Sequence, residues 1–450
     1  MKQIQFLGAA GEVTGSSYLL TIDNHSILID FGMFQGAGNF HQFNFTLPTF
    51  DGRNLTAVIL THAHFDHCGR LPLLKKIGFN GKIYTTPATK RITKIALLDS
   101  ATVMSEDKRE VPLYTGADVE SIVSQIETVE YDEMIHIGEF TAVFRNAGHI
   151  LGSASIEITD KTSQETIVFS GDLGNSPEDL VQPTEIITHA DIVVMESTYG
   201  DSLHPAEEVL AVLQQEINTF ESSSGTLLIP AFSIERTQEI LHKIGHLKQS
   251  GKIMDATPVF LDSPMAIEVT EIYKEFSNLY NLEMKKESHP FDFPGLRLTR
   301  TVEESKSIFL VNQAKVIIAG SGMMSGGRII HHLKKYIPQS ATRVLVVGYQ
   351  AIGTLGREIV DGAKQINIHS ENIPVHATIT ELKSLSSHAD QAKLITWLKQ
   401  IQGVQTVYLV HGENRQRETL AEKIKATLGI QNVILPAKDQ IYTLHTPGVY

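Results

Sequence analysis

Cysteine is almost missing: the 450 residues contain a single one, Cys68. One thiol excludes an internal disulfide and fits a reducing cytoplasm. Cys68 directly follows a histidine, yet its type favours a small buried thiol over a ligand, because other side chains supply enough donors without it. No apolar run approaches the roughly 20 residues that a bilayer-spanning helix needs, so no membrane partner is expected. The opening Met1-Lys2-Gln3-Ile4-Gln5-Phe6-Leu7 is broken at Gly8, too soon for a secretory signal, and reads as a first strand. Positive charge is also scarce. A formal net charge of −13 argues against a protein that coats nucleic acid by bulk electrostatics. It leaves room for an enzyme that holds nucleic acid in a local cleft. Residues 201–380 carry 17 Lys+Arg against 20 Asp+Glu, so the acidity sits mostly outside the middle of the chain.

What is present describes a globular protein: 42% hydrophobic and 20% charged residues. The length calls for two domains or one elaborated domain. Residues 1–35 alternate short β-rich runs (3–7, 16–22, 25–29) with glycine turns, a meander rather than a βαβ opening. Asp30 closes the third run, where it can turn the chain or brace a neighbouring loop. A strand at 55–60 follows, then helices at 69–77, 88–107 and 114–125 around a strand at 82–85. Further strands are predicted at 134–137, 141–146, 155–158, 166–169 and 191–195.

From about 204 the pattern changes to regular alternation of helix (206–220, 235–249, 265–280, 327–337) and strand (226–230, 259–261, 315–319, 342–347). Such alternation implies a parallel sheet with helices on both faces, hence a separate α/β unit. From about 380 the first style returns, with helices at 391–401 and 415–428 around a strand at 406–410. The expected division is 1–204, an inserted 205–380, and a return segment 381–450 that rejoins the first domain.

Chemistry-bearing residues recur at strand ends. The strand at 55–60 runs into Thr61-His62-Ala63-His64-Phe65-Asp66-His67, and the one at 141–146 into Ala147-Gly148-His149. The strand at 166–169 ends in Ser170-Gly171-Asp172, and the one at 406–410 in His411-Gly412-Glu413. Strand ends on one edge of a sheet converge, so these residues can meet. Imidazoles with carboxylates suit zinc. Two zinc ions sharing one water need about seven protein donors. His62, His64 and His149 are assigned to one ion, Asp66, His67 and His411 to the other, and Asp172 bridges. Paired ions of this kind lower the pKa of a shared water and clamp both oxygens of an in-line phosphoryl displacement.

The segment His62-Ala63-His64-Phe65-Asp66-His67, with His149, Asp172 and His411 following, resembles the metallo-β-lactamase superfamily. Glu196 in Glu-Ser-Thr-Tyr-Gly-Asp, His388 in Ser-Ser-His-Ala-Asp and His411 in Val-His-Gly-Glu resemble the three extra motifs of its β-CASP nucleases. Gly320-Ser321-Gly322-Met323-Met324-Ser325-Gly326-Gly327-Arg328 is similar to a segment of their inserted domain. The resemblance implies an α/β fold: a metallo-β-lactamase αββα sandwich with an inserted parallel-sheet β-CASP domain. It implies two Zn2+ per chain and hydrolysis of RNA, single-stranded by preference, in a cleft between the two domains. Asp66, Glu196 and His388 are then the catalytic candidates, with His388, held by Glu196, as general acid at the leaving oxygen. Ser321, Gly322 and Arg328 are the candidates for a neighbouring phosphate. His331 and His332, beside Lys334 and Lys335, are expected on a solvated helix face. Two other classes compete: a small-molecule thioester or lactone hydrolase of the same superfamily, and a silent assembly subunit. The first needs no inserted domain, and the second is expected to lose metal ligands.

Overall fold

The computed structural model describes residues 2–444 apart from 24, 37–39, 49, 107–110, 176–179, 207 and 223, with the side chains of 40, 41 and 383 also outside the description. Its contacts separate two units, Met1–Leu203 with Ser387–Tyr450, and His204–Ser386.

The first unit contains two seven-stranded sheets. One runs in the order Ile441–Thr443, Lys2–Gly8, Ser17–Ile22, His25–Ile29, Leu55–Ile59, Lys82–Thr85, Ile126–Thr128. Its first four strands are antiparallel neighbours, and pairing turns parallel from His25–Ile29 onward. The other runs Asn432–Ile434, Thr406–Val410, Ile192–Glu196, Thr166–Phe169, Ala154–Asp160, Phe140–Asn146, Met134–Ile137. The return segment therefore completes both sheets, one at an edge and the other beside Ile192–Glu196.

Alternation along the strands sorts the core. Ile4, Phe6, Ile27, Ile29, Ala57 and Ile59 of the first sheet pack with Phe140, Phe144, Ile156, Ile158, Ile167 and Phe169 of the second. Leu28, Val58 and Ile83 point the other way, into a layer with Leu71, Leu74, Leu97, Val119 and Ile122. On the second sheet Val168, Val193, Val407 and Leu409 do the same against Leu394, Leu398, Leu420 and Ile424 of the C-terminal helices. The result is an αββα sandwich. Parallel strands buried on both faces explain why 55–60 reads as an unbroken apolar run. The helix expected over 88–107 is observed as Pro87–Glu106, and residue 107 lies outside the described residues.

The second unit is built on six parallel strands in the order Leu296–Leu298, Val259–Leu261, Lys315–Ala319, Thr226–Pro230, Thr342–Val346, Thr378–Glu381. The last pairs with Thr342–Val346, and the Leu382 N–H reaches the Val346 carbonyl, which carries this unit past residue 380. A hairpin, Gln365–Ile368 with Glu371–Pro374, has no counterpart in the sequence reading. Its turn residues His369 and Ser370 both take positive φ, 50° and 65°. The Asn-Gly or Gly-rich pair that usually marks such a turn is missing. Among the described residues no helix is long and apolar enough to cross a membrane.

Candidate metal centre

The strand Leu55–Ile59 delivers Thr61–His64 at its end, and His64 caps the short helix Phe65–Cys68 with an extended backbone, φ −64° and ψ 148°. Backbone bonds grip this loop: Ser16 N–H to Asp66 O, Phe31 N–H to His67 O and Met33 N–H to Phe65 O. The segment around residue 32 runs so close that a Cβ on Gly32 would collide with the Asp66 carbonyl. Gly174 does the same for the second sheet, lying against the Gly148 carbonyl and bringing the His149 loop to the Asp172 loop.

Four of the seven predicted donors form one group. His64 Nδ1 lies 3.2 Å from His62 Nε2 and 3.1 Å from His149 Nε2. Asp172 Oδ2 stands 3.3 Å from His62 Nε2 and 3.6 Å from His149 Nε2. The remaining three, Asp66, His67 and His411, form a second group, with His411 Nε2 3.2 Å from Asp66 Oδ2. Asp172 touches both, since its Oδ2 is also 3.3 Å from His67 Nε2 and its Oδ1 is 3.7 Å from His411 Nε2.

A divalent cation fits this donor set. Tetrahedral ligands about 2.0–2.1 Å from a zinc-type ion stand about 3.3 Å apart, close to the spacings in the first group. Asp172 Oδ1 is buried without a hydrogen-bond partner, an arrangement that costs free energy unless a cation or water meets it. Burial lowers His62 and His149 and takes His64 down to about 3, so these rings are neutral and can offer lone pairs. Burial opposes charge on Asp66 and Asp172 as well, but His411 and His67 hold both carboxylates below the usual range. His67 is the exception among the rings. Burial resists its protonation, yet Asp172 and Asp30 push it up, and a bound cation would displace that proton.

Around these donors lies a layer of orienting groups. Asp30, buried at the end of His25–Ile29, accepts from His67 Nδ1 at 2.7 Å and from Thr61 N and Oγ1 at 2.8 Å each. That bond turns His67 Nε2 toward Asp172. His411 is positioned by pairing of the parallel strands Ile192–Glu196 and Thr406–Val410, which sets Glu196 opposite Val410. His411 itself takes a left-handed φ of 50°, secured by its N–H to Ala9 O. Thr198 was not singled out by sequence reasoning. Its hydroxyl donates to Glu196 Oε2 at 2.6 Å and accepts from His411 Nδ1 at 2.9 Å, leaving His411 Nε2 for Asp66 and a cation. The one signal for it was a threonine two residues past a strand-end carboxylate, where a hydroxyl can reach back.

Glu196 is fully buried, and its two oxygens both lie 3.2 Å from His388 Nδ1. Its Oε1 also accepts from Leu173 N at 2.6 Å. Burial works against a charged His388, but the Glu196 carboxylate pushes it up to about 9. The His388 ring lies 4.5 Å from that of His149 and 5.6 Å from that of His411, centroid to centroid. The sequence-predicted pair thus stands at the donor cluster, although 191 residues separate the two in the chain.

Ser321, Gly322 and Arg328 lie in the second unit. Arg328 is built into that unit's framework: Nη1 donates to Asp262 Oδ1 at 2.7 Å and to Thr299 O at 2.9 Å, and Nη2 to Arg300 O at 2.8 Å. Asp262, fully buried, also accepts from Thr299 Oγ1, Ser305 Oγ and His332 Nε2, each at 2.7 Å. This corrects the expected solvated pair. His331 is exposed, but His332 is fully buried, because adjacent residues on a helix point about 100° apart. The loop of Ser321 closes on itself, with Ser325 N–H donating to Ser321 Oγ at 3.1 Å, and Gly322 leaves room for the Phe232 ring.

Burial opposes the Asp262 charge, but bonds from His332, Ser305, Thr299 and Arg328 pull its pKa down to about 2. Asp262→Ala, which strands a fully buried imidazole and takes the carboxylate from a half-buried guanidinium, is expected to destabilise the second unit by about 2–4 kcal/mol in urea denaturation. A loss under about 1 kcal/mol would show that the network is not holding the unit. Because the folded pKa is depressed, this contribution is present above the unfolded carboxyl value and is lost as pH falls toward 2.

Comparison with known proteins gives matches along most of the chain. Residues 10–207 match the metallo-beta-lactamase superfamily, 237–359 the Beta-Casp domain, and 372–436 the Zn-dependent metallo-hydrolase RNA specificity domain. A ribonuclease of Thermus thermophilus is 38% identical over 91% of this chain and 93% of its own length. An RNase J-like protein of Methanocaldococcus jannaschii is 31% identical over 96% of this chain and 98% of its own. Among solved structures, a protein from Enterococcus faecalis V583 covers 98% of this chain and 100% of its own, with a TM-score of 0.55. At 14% identity that likeness is one of fold alone.

Proposed function

The chain belongs to the β-CASP family of metal-dependent RNA hydrolases within the metallo-β-lactamase superfamily, and from that premise we propose that it is a two-zinc ribonuclease cutting single-stranded RNA. The observation that carries the reading is the meeting of seven donors in two groups that share Asp172, with the His388–Glu196 pair beside them. Zinc ions bound there would act as Lewis acids on the scissile phosphate and lower the pKa of an attacking water toward neutrality.

The chain's own residues divide the remaining work. His62, His64 and His149 would hold one ion, and Asp66, His67 and His411 the other. Asp172 faces both groups, its Oδ2 toward His62 and His67 and its Oδ1 toward His411. Asp30 and Thr198 fix the tautomers of His67 and His411, so that the correct nitrogen faces inward. His388, kept charged by Glu196, donates a proton to the departing ribose oxygen, and Glu196 holds Nδ1 so that Nε2 is the donating atom. Five of the seven donors are buried and His64 and Asp66 half-buried, which favours a flexible single strand over a duplex as the species that brings its phosphate to them. Ser321, Gly322 and Arg328 are the candidates for a further phosphate contact, with Arg328 fixed in place by its bond to Asp262.

The test is direct. End-labelled RNA and DNA of matching sequence are incubated with the protein loaded with zinc, then with the protein stripped by chelator. RNA cleavage that chelation abolishes and added zinc restores is the expected result. A zinc-loaded sample that cuts neither polymer would end the proposal.

A further inference from the structure

A second set of metal-type donors lies in the inserted unit. Helix Arg236–Gln249 carries His242 and His246 one turn apart. Spacing of four places both rings on one face, and their centroids are 4.3 Å from each other. Glu287 stands opposite, immediately after the turn Met284–Lys286. A single oxygen of it, Oε1, lies 3.0 Å from Nε2 of His242 and 3.0 Å from Nε2 of His246. Oε2 is 3.1 Å from His242 Nε2.

These donors stand on firm supports. Met284 is buried, and its carbonyl accepts the Glu287 N–H at 3.0 Å. Phe291, fully buried, anchors the following segment against the rings of Tyr273 and Tyr280. Gly245, between the two histidines, lets the Phe293 ring lie against the helix, where a Cβ would come within 3.2 Å of it. A site whose backbone is fixed on both sides loses little entropy on binding an ion.

The chemistry is selective. Two imidazoles and one carboxylate match a borderline divalent cation of the zinc type, not the all-oxygen shell of magnesium or calcium. Burial keeps His242 below its ordinary pKa even with Glu287 beside it, so its ring carries a lone pair at neutral pH. Each imidazole nitrogen already sits 3.0 Å from the carboxylate oxygen, near the edge length of about 3.3 Å that a tetrahedral zinc site needs, and the donor atoms all lie within 4.8 Å of one another.

We propose that His242, His246 and Glu287 form a further metal site, separate from the Asp172 centre, which takes a zinc-type cation and ties helix Arg236–Gln249 to the segment beyond Lys286. Three protein donors leave the remaining coordination to water. The site plays no part in the hydrolytic step, so the proposal stands or falls independently of the ribonuclease reading.

The experiment counts metal. The full chain is dialysed against buffered micromolar zinc at neutral pH, and zinc per chain is measured by mass spectrometry for wild type, His246→Ala and Glu287→Gln. His246 is 42% exposed, so its replacement leaves the core intact. The expected result is one equivalent fewer in His246→Ala, with RNA cleavage unchanged. Glu287→Gln keeps a hydrogen-bonding partner for the rings but loses the charge, and should weaken the same equivalent by at least about tenfold. Equal zinc in wild type and His246→Ala overturns the proposal. Loss of cleavage together with the missing equivalent also overturns it, because that metal would belong to the other centre. Should His246→Ala fail to fold, Glu287→Gln decides alone, and unweakened binding there counts against the site.

Discussion

Asp172→Ala is expected to reduce RNA hydrolysis to the level seen with chelator and to release metal from both donor groups. The carboxylate places one oxygen toward His62, His149 and His67 and the other toward His411, so no single donor among the described residues serves both groups as it does. Its removal also leaves His67 and His411 facing each other with one negative charge fewer between them. If bound metal supplies about 4–6 kcal/mol of transition-state stabilisation, the loss is about 10³–10⁴-fold in rate. Asp172→Asn separates charge from shape: it fills the same volume and should fold, yet hold metal weakly. Metal analysis and single-turnover cleavage on one preparation check both statements. Full metal content with a rate within about tenfold of wild type would remove Asp172 from the bridging position.

His388→Ala should behave in the opposite way, retaining its metal while cleaving about 10²–10⁴-fold more slowly, the usual contribution of a general acid. Leaving-group chemistry gives the sharper readout. A phosphodiester with a nitrophenyl leaving group needs no proton as it departs, so the variant should hydrolyse it at close to the wild-type rate. A structural defect would slow both substrates equally. His388 also falls within ligand distance of Asp172 and His411, which makes a direct metal contact the rival arrangement. Metal loss in His388→Ala would select that rival.

Local spacing decided how much of this centre was readable without coordinates. His62, His64, Asp66 and His67 fall within six consecutive residues, and the turn after a buried strand already implies convergence. His149 and Asp172 were legible as strand-end residues because alternation marks where those strands stop. His411 was read as a strand-end residue too, but the pairing of Thr406–Val410 with Ile192–Glu196 that carries it to the others is not contained in periodicity. Thr198 escaped notice because a hydroxyl acts through hydrogen-bond direction, which leaves no pattern in sequence. His332 was misread for a related reason: two adjacent histidines look solvated until one of them is found buried against Asp262.

The fold shows the same division. The parallel sheet of the second unit follows from the regular alternation of helix and strand, whereas the αββα sandwich was implied only by the resemblance to the metallo-β-lactamase superfamily. The hairpin at 365–374 and the strand Thr378–Glu381 do not, because each is four residues per strand and lacks glycine punctuation. With them went the point at which the inserted unit ends.

Strand Ile192–Glu196 waits for Thr406–Val410 until the whole of His204–Ser386 has been synthesised. A ribosome that has translated only as far as residue 386 has already made six of the seven donors, but neither His388 nor His411. On the ribonuclease reading, a chain that stops before residue 411 lacks one of the seven donors and the tip of the strand beside Ile192–Glu196, and is expected to show no RNA cleavage in the same end-labelled assay.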